Sequence, residues 1–217
     1  MARRERRRAG RPAMYALCSL ALQYPDGELL AGRDEILDAV AELPDEPAAT
    51  ALRSFWGWWT TTPALELEQH YVETFDLQKR SGLYMTFYAL GDKRERGMAL
   101  LRLKKLYRAA GLPMEGSSEL PDYLPVMLEF AAAAPSGYGE VVLREHRSAL
   151  ELVRLSLRED GSRYTEVLDA VCLLAGELVP ADRLGLERLI TGGPPQELVG
   201  LEPFAPPEVV PATGARR

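Results

Sequence analysis

The chain of 217 residues is poor in the side chains on which most chemistry depends, with two cysteines and two histidines. Cys18 and Cys172 are too few for a disulfide framework. Both lie in apolar helical patterns, so they read as small buried hydrophobes in a reducing compartment. His70 has no second histidine or cysteine at metal-ligand spacing, and reads as a surface or half-buried helix residue, with no metal site implied. A glycine loop of the phosphate-binding kind is missing, and Gly192-Gly193 fits no such fingerprint. No nucleophile has an adjacent base, since His146 and Cys172 could pair only by an accident of folding. No run of 18 apolar residues occurs, which excludes a helical membrane span. Strand-like alternation is nowhere sustained, so the fold expected is all-α, a single-domain helical bundle.

What is present describes an ordinary globule: 47% hydrophobic and 8% aromatic residues. A chain of this length buries roughly 70% of its unfolded surface and folds without disulfides or metal. The net charge of −6 hides an asymmetry. Arg3, Arg4, Arg6, Arg7, Arg8 and Arg11 face only Glu5 in residues 1–12, a balance of +5 that leaves −11 for the remainder. An acidic body argues against a general nucleic-acid surface and suits a basic peptide ligand. The arginine run followed by AMYALCSLAL imitates a signal peptide. Met14, Leu17 and Ala21, however, keep the spacing of a helix packed on a core, and Tyr24-Pro-Asp-Gly27 turns the chain where a cleavage site would follow. Residues 1–12 therefore read as a disordered basic arm, with RNA or an anionic membrane as its alternative contact. Residues 13–190 form the helical domain, and residues 191–217, with six prolines and four glycines, form a flexible tail.

Between these ends the periodicity predicts one or two short helices over Glu28 to Leu43. A helix from Ala48 to Thr61 buries Leu52, Phe55, Trp56 and Trp59 with Trp58 off the stripe, and another segment covers Glu66 to Phe75. Farther on, one helix is expected over Val141 to Arg158 and a last strong one over Tyr164 to Leu178.

Residues 84 to 130 are the most informative. Tyr84, Phe87 and Tyr88 form an aromatic strip that is core by default, or the lining of a peptide groove. Gly91 breaks it, and Asp92 has the short carboxylate of an N-cap. From Arg94 the apolar positions Leu100, Leu103, Leu106, Tyr107 and Ala110 keep helical spacing, with Gly111 as the C′ stop. In the following helix Pro121 is expected in the first turn, Leu124, Met127, Leu128 and Ala131 on the buried stripe, and Asp122 and Glu129 together on the other face. Pro125 is expected to loosen or bend its start. The two carboxylates have two readings, helix capping on a solvated face or a seat for a cationic ligand.

FDLQKRSGLYMTFYALGDKRERGMALLRLKKLYRAAG (Phe75 to Gly111) and ELPDYLPVMLEF (Glu119 to Phe130) resemble the respiratory nitrate reductase molybdenum-cofactor assembly chaperones. This is the delta subunit family, within the helical chaperones of molybdoenzymes. The resemblance is close from about Tyr71 to Phe130, looser before it and diffuse beyond Ala134. It departs at Asp122-Tyr123, where related chaperones of other molybdoenzymes usually have Asp-His, so nothing resting on that histidine transfers.

The resemblance implies a cytoplasmic, non-catalytic protein that binds the apo catalytic alpha subunit of nitrate reductase. It implies recognition of that subunit's N-terminal segment and help with molybdenum-cofactor insertion, without membership of the finished enzyme. A basic amphipathic peptide helix would seat its apolar face in a groove and its cations on nearby carboxylates. The candidate peptide-binding residues are Phe75, Asp76, Tyr84, Tyr88, Glu119, Pro121, Asp122 and Glu129. Arg94, Arg96 and Arg102 would position those acids or touch the anionic molybdenum cofactor transiently, or form ordinary surface ion pairs. No stable cofactor, metal, nucleic acid or membrane insertion is expected. Two rival readings are a helix-turn-helix regulator with Arg94 to Arg108 as its recognition helix, and a small helical hydrolase using Asp122 and Glu129.

Overall fold

The computed structural model describes residues 2–192 apart from 79, 92, 93, 115, 117 and 136, with side chains placed from residue 10 onward. Among the described residues there are twelve α-helices and no strand. In chain order they are α1 (Ala2–Ala21), α2 (Gly27–Ala31), α3 (Arg33–Ala41), α4 (Pro47–Thr61), α5 (Ala64–Tyr71), α6 (Met85–Leu90), α7 (Arg94–Ala109), α8 (Leu124–Ala133), α9 (Tyr138–Glu145), α10 (Arg147–Glu159), α11 (Thr165–Ala175) and α12 (Pro180–Gly192).

The buried stripes read from the sequence become the helix interfaces. Met14, Leu17, Cys18 and Ala21 of α1 are buried, and α1 lies along α8, where the Ser19 hydroxyl donates to the Pro125 carbonyl at 2.9 Å. Leu52, Phe55, Trp56 and Trp59 of α4 are buried, and α4 packs on α11, whose Val167, Val171 and Leu174 are buried as well. Trp58 stays half-buried off that stripe, beside Phe55 and His70. Between α8 and α9 the approach is so close that a Cβ at Gly139 would stand 2.5 Å from the Ala131 Cα. α7 buries Leu103 and Tyr107 and stops where Gly111 takes a φ of 83°, the left-handed conformation a C′ glycine supplies.

Four expectations change. The helix expected from Val141 to Arg158 is two, because the Nδ1 of His146 lies 2.9 Å from the Val142 carbonyl one turn back and the backbone breaks there. Residues 180–192, left unassigned or given to the tail, form α12; 193–217 lie outside the described residues. The boundary expected at residue 12 falls inside α1, whose Arg11 reaches the Leu174 carbonyl and Glu140. The helix after Glu119 begins at Leu124 rather than Pro121. Pro125 thus occupies its first turn, where the absent N–H has no partner to lose, and it bends nothing. The expected cap Asp92 lies outside the described residues.

A small polar node fastens α6 and α7 to the core. Leu83 and Met85 exchange backbone hydrogen bonds with Leu124 and Asp122 at 2.8 and 2.9 Å, making one antiparallel bridge between Tyr84 and Tyr123. Beneath the bridge Asp122 is fully buried, and its Oδ2 accepts from the Thr86 amide at 3.2 Å and from the Thr86 hydroxyl. Arg96 reaches the same oxygen at 3.5 Å, with its guanidinium over the rings of Phe87 and Tyr84 at 5.3 and 5.9 Å. The Tyr107 hydroxyl closes the turn by donating to the Pro121 carbonyl at 2.8 Å.

Burial dominates the acid–base state of the core. It pushes Cys172 and Tyr15 up to about 12, and raises Cys18, Tyr71, Tyr88, Tyr107 and Tyr164 further. Each raised group keeps its proton in the folded chain while the unfolded chain gives it up. Stability is therefore complete below the unfolded values, about 8.5 for thiols and about 10 for phenols, and falls as pH rises beyond them. Urea titrations should show a constant midpoint from about pH 7 to 8 and a steep fall by about pH 10.5, where most phenols ionise once exposed. In the same assay Asp122→Ala, which removes the buried carboxylate that Arg96 and the Thr86 amide share, should cost about 3 kcal/mol, and Glu129→Ala under about 1 kcal/mol. Equal small losses would show that the node does not hold the limb.

Candidate functional site

The bridge between Tyr84 and Tyr123 has an outer side, and there the sequence candidates converge. The two rings lie 5.1 Å apart, and the Tyr84 hydroxyl donates to Glu119 at 3.4 Å. Tyr123 is half-buried. Burial raises its phenol, the Tyr71 hydroxyl beside it partly offsets this, and the nearby carboxylates of Glu119, Asp76 and Glu129 push it up further. Three acids from three separate segments thus lie near one tyrosine.

A π-helical turn, Val72–Asp76, continues α5 and supplies one side of the site. Its extra residue closes with the Leu77 amide on the Val72 carbonyl at 3.1 Å. The turn sends Phe75 inward against Tyr71 and Tyr164, at 5.0 and 4.7 Å between ring centroids, and leaves Asp76 exposed at its end. Tyr24 meets Tyr71 edge-on at 5.5 Å and remains exposed. Glu129, on the outer face of α8, accepts from Gln23 at 3.2 Å and Ser19 at 3.4 Å. The result is a shallow surface of Tyr24, Tyr84 and Tyr123 edges among carboxylates. It can take a ligand that is apolar on one side and cationic on the other.

Three sequence candidates do not belong to this surface. Asp122 does not share a solvent face with Glu129; it precedes the helix and is spent inside on Thr86 and Arg96. That also removes the carboxylate pair on which a hydrolase would depend. Tyr88 is core, its hydroxyl 2.7 Å from the Gly82 carbonyl and 3.0 Å from that of Arg80. Pro121 is buried in the turn held by Tyr107 and does not shape a helix mouth. Arg96 belongs to the node as a positioning residue, whereas Arg94 and Arg102 are exposed on α7. Tyr24, Tyr71 and Tyr123 had no assigned role in the sequence reading, and only the ordering of acids around them in space identifies them.

His70 is half-buried, stacked on Tyr164 at 5.4 Å and 3.1 Å from the Ser162 hydroxyl; burial lowers its pKa. No three His, Cys, Asp or Glu side chains among the described residues are grouped to hold a metal ion. No helix among the described residues is long and apolar enough to cross a membrane. Other concavities lie elsewhere on the surface. One of about 400 Å³ is lined by Arg102, Leu106, Glu145 and His146. Another, of about 760 Å³, lies between α4, α10 and α11. Its floor is a chain of ion pairs in which Arg147 and Arg154 hold Glu151 and Arg154 also meets Asp169 at 2.9 Å. Burial opposes the charge on Glu151, but the hydrogen bonds from Arg154 and Arg147 prevail and hold its carboxyl below the usual range.

Residues 41–168 match the family model described as nitrate reductase delta subunit. A probable nitrate reductase molybdenum cofactor assembly chaperone, NarJ of Bacillus subtilis (strain 168), is 33% identical over 84% of this chain and 95% of its own. The NarJ chaperone of Escherichia coli (strain K12) is 32% identical over 77% of this chain and 72% of its own. The nitrate reductase-like protein NarX of Mycobacterium tuberculosis (strain ATCC 25618 / H37Rv) is 33% identical over 73% of this chain but only 24% of its own length. The matched segment runs from the end of α3 into α11 and carries α8, the π-helical turn and the bridge, and with them the Tyr123 surface except Ser19, Gln23 and Tyr24. With that span and identity the chain belongs to the nitrate reductase delta subunit family, alongside nitrate reductase molybdenum cofactor assembly chaperones.

Proposed function

We propose that the protein is a non-catalytic, cytoplasmic chaperone for a respiratory nitrate reductase. It binds the apo catalytic alpha subunit through that subunit's N-terminal segment and assists molybdenum-cofactor insertion, then leaves before the enzyme is complete. The observation that supports the reading is the half-buried Tyr84–Tyr123 ring pair, with Glu119 hydrogen-bonded at its edge and Asp76 and Glu129 near Tyr123, in a family whose members include cofactor assembly chaperones.

Recognition follows from elementary forces. A basic amphipathic helix has its apolar side covered by the Tyr84, Tyr123 and Tyr24 rings, and that burial supplies most of the affinity. Each exposed carboxylate adds at most about 1 kcal/mol, but three together exclude acidic competitors and speed encounter. Phe75 acts from behind, fixing the π-helical turn that aims Asp76. Asp122 and Arg96 act by holding the bridge and touch no peptide. Cofactor insertion takes place in the partner, and only a transient contact of the anionic cofactor with exposed cations such as Arg94 or Arg102 is required of this chain.

Calorimetry with a peptide of the alpha subunit's N-terminus checks the assignment. Glu119→Gln and Asp76→Asn should each weaken binding roughly two- to fivefold, and more at low salt than at high salt. Tyr123→Ala should weaken it about tenfold or more. Unchanged affinity in all three would remove the surface from the mechanism. Cells lacking the protein should accumulate nitrate reductase that is inactive and poor in molybdenum cofactor. Normal reductase with altered gene expression would favour a regulator instead.

A further inference from the structure

α7 has a second face that neither the core nor the Tyr123 surface uses. Arg94, Met98, Leu101, Lys105 and Arg108 are all exposed and repeat at intervals of four and three, the spacing of a seam against which another helix packs. Met98 and Leu101 are 61% and 52% exposed. Among the described residues, Arg94, Lys105 and Arg108 on this face make no ion pair. In a chain whose body is strongly acidic, an unopposed cationic helix face is a site of attraction. Two apolar residues are too narrow a stripe to enter a bilayer, which takes a wide apolar face, and they would be wasted on a nucleic-acid backbone.

The complement lies on α3 of the same chain. Asp34, Asp38, Glu42 and Asp45 are exposed on its outer side and just beyond its end, without ion pairs among the described residues, and Leu37 beside them is 41% exposed. Asp34, Asp38 and Ala41 repeat at four and three within α3, the spacing of the α7 seam, and the two aspartates oppose it in sign. We infer that the α7 face of one copy docks on the α3 face of a second copy, with Met98 and Leu101 against Leu37 and the charges paired around them. Partly solvated charges dominate the contact, so it is reversible and sensitive to salt.

Sedimentation velocity over a concentration series tests this with two charge-reversed chains, K105E/R108E and D34K/D38K, both altered only at exposed positions and checked for folding by circular dichroism. The wild type should self-associate at about 50 mM salt, with the dissociation constant rising about tenfold or more at about 500 mM. Each variant alone should be monomeric, since at the reversed positions like charge then faces like charge. An equimolar mixture of the two should associate again, because each supplies the sign the other lacks. A wild type that is monomeric at every salt concentration overturns the inference, as does a dimer that survives in either variant or a mixture that fails to associate. A monomeric wild type that co-sediments with phosphatidylglycerol vesicles would assign the α7 face to lipid and equally overturn it.

Discussion

Everything exposed on the candidate surface depends on a contact that is hidden. Asp122, without solvent exposure, binds the Thr86 amide and hydroxyl and draws in Arg96, and so fixes α6 and α7 to the start of α8. A buried carboxylate is costly to desolvate and is retained only with good partners. Its Oδ1 has no hydrogen-bond partner and is buried, so the node holds register at the cost of one unsatisfied acceptor. What the arrangement obtains is geometric: the bridge above it sets the Tyr84 and Tyr123 rings side by side at the surface.

Around that fixed point three independent pieces of chain deliver one acid each. Asp76 comes from a π-helical turn, Glu119 from the loop before the bridge, and Glu129 from the outer side of α8. Their separation matters. Acids grouped on one helix would repel each other and need internal cations, whereas acids brought from three elements leave room between them for the cations of a ligand. The contrast with the cleft between α4, α10 and α11 is instructive: there Arg147 and Arg154 already neutralise Glu151, and little charge is left for a partner.

Much of the fold was legible because apolar spacing decides which helix side is buried. Leu52, Phe55, Trp56 and Trp59 were identifiable from spacing alone, and so was the Gly111 stop. The break at His146 was not, because it depends on an imidazole turning back to a carbonyl, which periodicity does not record. The site was half legible. Phe75, Asp76, Tyr84, Glu119 and Glu129 were named from the sequence, but the pairing of Asp122 with Glu129 assumed a helix beginning at Pro121. Once the helix begins at Leu124, Asp122 leaves its face and turns inward. A seven-residue interval places two side chains on one face only when both belong to the same helix. The role of Tyr123 is entirely a matter of three-dimensional neighbours.

The central claim is that a basic leader sits on the tyrosines beside the bridge and not in the ion-paired cleft. Amide and side-chain NMR of the full chain, titrated with the alpha subunit's N-terminal peptide, tests this most directly. The account predicts shift changes concentrated at Tyr24, Asp76, Tyr84, Glu119, Tyr123 and Glu129. Changes concentrated instead at Ser54, Glu166 and Leu173, along the other cleft, would contradict it.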